Sequence, residues 1–173
     1  MPDPEPSSPE AGLALDISIE CEGWSAAVSD PEKLCLDAAS AALAALEDVP
    51  GRPALSILLS DDAMIATLNS QFRGKHGPTN VLSFPAGDTY PDGLVMLGDI
   101  AVAFETVERE ADAGGIPIAD HLSHMIVHGT LHLLGLDHET DGEAEEMESL
   151  ETSILSGLGV ADPYAETKVE NAS

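Results

Sequence analysis

Three histidines within eleven residues are the feature of this chain that most restricts its fold: His128, His132 and His138. His128 and His132 are four residues apart, so on a helix their side chains lie on one face, close enough to bind one ion. Gly135 can adopt the positive φ that ends a helix and turns the chain back toward His138. Because three imidazoles with an open fourth position are typical of a catalytic zinc site, the spacing predicts one zinc ion per chain, on a helix and the loop after it.

The same spacing occurs in the zinc motif of metzincin proteases, His-Glu-x-x-His-x-x-Gly-x-x-His, and the comparison is informative where it fails. Position 129 of this chain is Gly129, so the glutamate that activates water for peptide hydrolysis is missing. A metal-dependent peptidase or amidohydrolase is therefore an alternative that the sequence disfavours.

Two further histidines, His121 and His124, precede the pattern on the same predicted helix. His124 lies one turn before His128, so it is a candidate to orient a metal ligand, and we include it among the catalytic candidates. We interpret His121 as a helix-face or partly buried imidazole. Asp137 either orients an imidazole or is a solvated turn residue, and both interpretations stay open.

Residue periodicity along the chain predicts a single domain that contains four strands and several helices. The predicted strands cover residues 13–19, 54–59, 81–84 and 94–104. One predicted helix begins at Pro31, one follows Ser60 as its cap and continues through Phe72, one runs from Pro117 to about Leu134, and one covers residues 141–156. With 173 residues, the chain is long enough for one hydrophobic core.

The two ends of the chain are polar, and we expect tails there. Residues 1–12 are rich in proline, serine and acidic residues, which predicts a disordered acidic tail, and residues 165–173 form a second tail after a domain of residues 13–164. The first residues lack the features of an export signal, and no apolar run is long enough to cross a bilayer. We therefore expect a cytoplasmic protein without a membrane partner, in which Cys21 and Cys35 are reduced thiols.

The chain is strongly acidic: 6 lysines and arginines oppose 32 aspartates and glutamates, for a formal net charge of −26. Such a charge repels nucleic acid at long range. The sequence has one basic cluster. It consists of Arg73 and Lys75, in the segment Phe72-Arg73-Gly74-Lys75-His76-Gly77-Pro78-Thr79. Arg73 is the best candidate for a bidentate contact with phosphate or carboxylate, although a solvated loop with an incidental ion pair would give the same pattern.

Taken together, these residues resemble the YbeY family of bacterial metal-dependent endoribonucleases, which act in ribosomal RNA maturation. The resemblance covers nearly all of residues 13–164. The matching segments are Leu68-Asn69, Phe72-Arg73-Gly74-Lys75, Thr79-Asn80-Val81-Leu82-Ser83-Phe84-Pro85, Leu97-Gly98-Asp99-Ile100, His124-Met125-Ile126-Val127-His128-Gly129, the histidine pattern, and Asp162-Pro163-Tyr164.

The resemblance implies a single α+β domain with a mixed, mostly four-stranded sheet and helices packed on it. It implies further that His128, His132 and His138 bind zinc and that Arg73 is catalytic or contacts RNA. It also implies cleavage of single-stranded RNA, maturation of the 3′ end of small-subunit ribosomal RNA, and quality control of defective ribosomes. The family usually has tyrosine where this chain has Leu136. If that tyrosine hydroxyl donates or accepts a hydrogen bond near the metal, this chain lacks it.

A second alternative is a non-catalytic ribosome assembly factor in which the zinc ion is structural. The net charge of −26 favours it slightly, because so acidic a chain should bind isolated RNA poorly. In both cases the expected partners are single-stranded RNA, ribosomal RNA and the small ribosomal subunit. Because the chain is so acidic, we also expect that a ribosomal protein or an assembly GTPase presents the RNA to it.

Overall fold

The computed structural model describes residues 13–46, 52–136 and 140–164. The predicted tails, residues 1–12 and 165–173, lie outside these ranges, and so do the predicted site residues Asp137 and His138. The described residues form four strands and six helices, in the order β1 (Ala14–Ile19), α1 (Glu22–Ala27), α2 (Pro31–Ala44), β2 (Arg52–Ser60), α3 (Asp62–Arg73), β3 (Val81–Thr89), β4 (Leu94–Ala103), α4 (Phe104–Gly114), α5 (Ile118–Leu133) and α6 (Asp141–Gly157).

The four strands form one mixed sheet in the order β1-β2-β4-β3. β1, β2 and β4 are parallel, whereas β3 is antiparallel to β4 and forms an edge of the sheet. Parallel neighbours need a crossover connection, and the helices between β1 and β2 and between β2 and β4 provide it. The predicted α+β class and four-stranded mixed sheet are confirmed.

Side chains alternate between the two faces of the sheet, and the helices divide accordingly. Ile57, Ile100 and Val102 belong to the larger core, together with residues of α2, α5 and α6. On the opposite face, Ala101 and Leu82 pack with residues of α3 in a smaller cluster. The helix with the histidines, α5, therefore lies on one face of the sheet and α3 on the other.

Helix α5 packs closely on the sheet because it has a glycine at the point of contact. A Cβ atom at Gly129 would lie 3.0 Å from Cδ1 of Ile100 in β4. The helical turns on either side of Gly129 carry buried aliphatic side chains, among them Ile126, Val127 and Leu131. The buried face of α5 thus fixes the helix, which leaves the other face for polar side chains.

Three details of the predicted elements are wrong. Helices α1 and α4 were not predicted, and α4 begins at Phe104, where the predicted strand was expected to end. The cap of α3 is Asp61, whose side chain accepts a hydrogen bond from Met64 N at 2.9 Å, while Ser60 ends β2. The backbone carbonyl of Ser60 accepts a hydrogen bond from the indole Nε1 of Trp24 in α1 at 2.9 Å, which ties α1 to the end of β2.

Both cysteines are free, as the sequence predicts. Cys35 is completely buried in α2, and burial, with a smaller effect of Glu32, raises the pKa of its thiol to about 12. Within the described ranges, none of the helices combines the length and the apolar character needed to span a membrane.

Gly98 stands where both neighbouring strands change register, and its φ of +149° is one that side chains rarely adopt. A Cβ atom there would collide with the carbonyl oxygen of Phe84 and lie 3.0 Å from Cα of Pro85. Because backbone atoms cannot move aside, we expect Gly98→Ala to lower the free energy of unfolding in urea by about 2–3 kcal/mol.

Gly142 is the matched control, since nothing lies within 4 Å of a Cβ atom built there. It belongs to the first turn of α6, so Gly142→Ala should leave stability unchanged or raise it by up to about 1 kcal/mol. Equal stability of Gly98→Ala and the wild type would show that β4 tolerates a side chain at this point.

Candidate metal centre

Helix α5 places His124, His128 and His132 at successive turns of one helical face. The opposite face of the helix is in the core, so these imidazoles point away from the sheet centre. The side chain of His128 is 26% exposed and that of His124 is 11% exposed. Two of the three predicted metal ligands, His128 and His132, are thus neighbours on the helix, as the sequence predicts.

A buried carboxylate, Glu151 of α6, joins two of these histidines. Its Oε2 atom accepts a hydrogen bond from Nδ1 of His128 at 2.6 Å, and its Oε1 atom accepts one from Nε2 of His124 at 2.9 Å. The hydroxyl of Tyr164 donates a third hydrogen bond to Oε1. Glu151 has no solvent exposure, so these three donors take the place of water around its oxygens.

The three donors keep Glu151 ionised. Burial alone would raise the pKa of this carboxyl, but the hydrogen bonds from His124, His128 and Tyr164 outweigh it and lower the pKa to about 2. Burial, together with the hydrogen bond to Glu151 and the charge of that carboxylate, raises the pKa of Tyr164 above its ordinary value. Because Glu151 can only accept, the proton of a neutral His128 lies on Nδ1 and its lone pair on Nε2.

A backbone carbonyl orients His132 as Glu151 orients His128, by accepting a hydrogen bond from Nδ1. Its Nδ1 atom lies 3.2 Å from the carbonyl oxygen of Leu136, which can only accept, so the lone pair of the neutral ring is again on Nε2. Gly135, with a φ of +103°, turns the chain so that this carbonyl faces back toward the helix. The contact uses the backbone of Leu136, so replacing the family's tyrosine with leucine does not remove it.

The two histidines fit a divalent metal such as zinc. Each neutral ring presents an Nε2 lone pair on the same helical face, and a hydrogen bond from Nδ1 to a carboxylate or carbonyl is the arrangement that orients metal-binding imidazoles. Among residues 13–46, 52–136 and 140–164, no group of three His, Cys, Asp or Glu side chains is arranged to hold an ion. A third ligand would have to come from outside these ranges, which is where His138 lies.

His124 differs from the other two. Its Nε2 atom donates to Glu151 and lies 3.3 Å from the hydroxyl of Tyr164, so the lone pair of the neutral ring is on Nδ1. His124 thus helps to hold Glu151 rather than presenting the same nitrogen as His128. His121 is partly buried, as interpreted from the sequence, and its Nε2 atom pairs with Glu110 at 2.8 Å.

Glu151 and Tyr164 are the site residues that sequence reasoning missed, although Tyr164 belongs to a segment that matched the family. Asp162 fixes that segment, since its Oδ1 atom accepts from Tyr164 N at 2.8 Å and from the Thr152 hydroxyl at 3.2 Å. The sequence does contain a signal for Glu151: it follows Met147 by one helical turn and precedes Leu155 by another, both of them buried. A carboxylate on the apolar stripe of a helix needs buried donors.

The position of Gly129 bears on the peptidase alternative. The residue is buried, and the three atoms nearest to a Cβ atom there would all belong to the side chain of Ile100, at 3.0–3.2 Å. A glutamate at position 129 would point at the sheet and force α5 away from it. The packing of α5 therefore requires a small residue at the place where metzincins have their catalytic glutamate.

Arg73 lies on the opposite side of the edge strand β3 from α5, the helix that carries the histidines. It is the exposed last residue of α3, and Gly74, with a φ of +66°, ends the helix directly after it. The strand between the sites contacts both: Ser83 Oγ lies 3.5 Å from the carbonyl oxygen of Gly129, and the ring of Phe84 contacts that of Phe72. The structure thus brings His128 and His132 together and places Arg73 across one strand from them.

Comparison with known proteins gives a consistent result. A family model described as Endoribonuclease YbeY matches residues 18–159. Two relatives named Endoribonuclease YbeY, from Jannaschia sp. (strain CCS1) and Azorhizobium caulinodans, are each 53% identical over 88% of this chain and cover 100% and 97% of their own lengths. A solution structure from Thermotoga maritima is 25% identical, with a TM-score of 0.54 over 90% of this chain and 93% of that chain.

The contact between Glu151 and His128 leads to a prediction about metal affinity. Glu151→Gln keeps the size of the side chain but offers an amide in place of a carboxylate, so His128 loses its charged acceptor. We expect the affinity of the full-length protein for zinc, measured by competition with a chelator, to fall by about 10- to 100-fold.

The control for this variant is Glu146→Gln, which removes the same charge from an exposed position of the same helix. Its zinc affinity should equal that of the wild type. Tyr164→Phe, which removes one of the three donors to Glu151, should fall between them. If Glu151→Gln binds zinc as tightly as Glu146→Gln does, the carboxylate has no part in orienting His128 toward a metal.

Proposed function

This chain belongs to the endoribonuclease YbeY family, and from that premise we propose that it is a zinc-dependent endoribonuclease acting on single-stranded RNA. As a family member the chain is a hydrolase that cleaves RNA. The observation that best supports zinc dependence is the pair His128 and His132, each with Nδ1 bonded to an acceptor and an Nε2 lone pair on one helical face.

We propose His128, His132 and His138 as the ligands of one ion. Gly135 supports the third assignment, because its positive φ reverses the chain between His132 and His138. When bound, a zinc ion supplies Lewis acidity, which activates water and polarises phosphoryl oxygens. The negative charge of Glu151, at Nδ1 of His128, makes Nε2 of the imidazole a stronger electron-pair donor toward a metal.

Arg73 is proposed to hold the phosphate. Its guanidinium is always charged and can bind two phosphate oxygens at once, and it would stabilise the charge that develops on phosphorus during cleavage. The position of Arg73 across β3 from α5 suits a strand of RNA that passes over this edge of the sheet. His124 acts in this scheme as a positioning residue, through the Glu151 oxygen that it shares with Tyr164.

The biological substrate that we propose is ribosomal RNA, with the 3′ end of small-subunit ribosomal RNA as the cleavage region and defective ribosomes as a second target. The net charge of −26 opposes direct capture of free RNA. We therefore propose that the small ribosomal subunit, through a ribosomal protein or an assembly GTPase, presents the RNA to the enzyme in the cytoplasm. Residues 13–164 are the proposed folded domain that carries out the cleavage.

The test is cleavage of end-labelled single-stranded RNA by full-length protein whose metal content has been measured. His132→Ala should lose both zinc and cleavage, because it removes a ligand. Arg73→Ala should keep its zinc and lose activity on the order of 100-fold, the usual effect of removing a charge-stabilising donor. Duplex RNA of the same sequence should be cleaved poorly by all of them.

Arg52→Ala is the matched control, since Arg52 is also an exposed arginine but pairs with Asp92 at the β3–β4 turn. Its activity should equal that of the wild type. Equal cleavage by all four proteins would identify a contaminating ribonuclease. Absence of cleavage by wild-type protein with one zinc ion per chain would favour the assembly factor with a structural metal.

A further inference from the structure

Phe72 is unusually exposed for a phenylalanine. Among the described residues it is the most exposed large hydrophobic side chain, at 67%, compared with 47% for Tyr90 and 40% for Met64. Leaving an aromatic ring in water forgoes the stabilisation that its burial would give. An exposed ring of this kind is a candidate contact for a partner.

The ring of Phe72 is held in place although it is exposed. Phe84 of the edge strand contacts it edge to face, with ring centroids 5.7 Å apart and an interplanar angle of 65°. Helix α3 ends one residue later, at Arg73, and Gly74 is its C-cap. Phe72 thus lies at the end of α3 with its ring packed against Phe84, an arrangement that lowers the conformational freedom lost when a ligand stacks on the ring.

The residues directly after Phe72 carry positive charge in a chain that is otherwise acidic. Arg73 and Lys75 are both exposed, and they are two of only 6 basic residues against 32 acidic ones. Asn69 holds this loop: its side-chain Nδ2 donates to the carbonyl of Gly77 at 3.0 Å, and its backbone carbonyl oxygen accepts from Lys75 N at 3.2 Å. Two positive side chains on this held loop, beside an exposed ring, complement an anionic ligand that contains flat aromatic groups.

A groove of about 490 Å³ begins at Phe72 and continues over the face of the sheet that α3 covers only in part. Its apolar lining includes Leu68, Phe72 and Phe84. Its polar lining consists of two carboxylates and two hydroxyls: Asp16, Asp99, Ser18 and Ser56. The volume is that of a small-ligand site. Aspartate repels phosphate but accepts hydrogen bonds from the amino groups of bases, so the groove suits a base and not the RNA backbone.

We propose that Phe72 is a stacking platform for one unpaired base of an RNA strand, with Arg73 and Lys75 contacting the adjoining phosphates and the groove receiving the edge of the base. The proposal rests on the proposed function in taking single-stranded RNA as the substrate. It also gives that preference a physical cause, because the faces of a base are open to an aromatic ring only where the strand is unstacked and unpaired.

The test measures binding apart from cleavage. The probe is a short 2′-O-methyl oligoribonucleotide with 2-aminopurine at one position, which resists cleavage and whose fluorescence is quenched by stacking. Wild-type protein should bind and quench it at about 0.15 M salt, where the long-range repulsion by the net charge of the chain is largely screened. Phe72→Leu keeps an apolar contact with Phe84 but removes the ring, and should weaken binding by about 5- to 100-fold and abolish the quenching. Phe72→Trp should retain both.

Two variants serve as controls. Tyr90→Leu removes an exposed aromatic ring at the far end of β3 and should bind and quench as the wild type does. Lys75→Ala should reduce the slope of log Kd against log salt by about 0.7, the value for one phosphate contact on a single strand, whereas Phe72→Leu should leave the slope unchanged. This difference separates stacking from a general loss of the charged loop.

The outcomes distinguish this proposal from the proposed function. If the wild type quenches the probe and Phe72→Leu does not, while unmodified RNA is not cleaved, the platform stands and the nuclease proposal fails. If the wild type cleaves RNA but Phe72→Leu binds and quenches equally, the platform is overturned. It is also overturned if wild-type protein fails to bind the probe at all.

Discussion

The carboxylate of Glu151 is the interaction on which the arrangement of the site depends. It receives two hydrogen bonds from α5, through His124 and His128, and one from Tyr164, which follows α6. A buried carboxylate without such donors would be protonated or would force the helices apart. The polar contact therefore joins α5, α6 and the segment at residues 162–164 in one defined arrangement, which the apolar core alone could not specify.

Much of the fold could be predicted from the sequence because its signals are local. The apolar runs predict all four strands, and the spacing of His128, His132 and Gly135 predicts a helix followed by a reversing turn, as observed. Helix α1 was missed because it has only six residues and Trp24 as its one buried side chain. Helix α4 was missed because it follows β4 without a turn, so strand and helix residues form one continuous segment.

The site was only partly predictable, because its supporting contacts are between residues distant in sequence. Glu151 is 23 residues from His128, and no local pattern relates them. Gly129 is a different case, since its role is visible only when β4 is in place and Ile100 fills the space that a side chain would need. The absence of a glutamate at this position, which departs from the metzincin protease motif, is thus also a packing requirement of α5.

The irregular pairing of β3 has a consequence for how this protein behaves at high concentration. An edge strand offers unpaired backbone groups to any other strand, and long regular edges promote aggregation. In β3, the register shift between Pro85 and Asp88 interrupts the regular part of the edge, and Pro85 has no N–H to donate. Only residues 81–84 then remain as a regular edge on this side of the sheet, which is shorter than the usual strand of about 5–6 residues, so pairing with a second molecule is disfavoured.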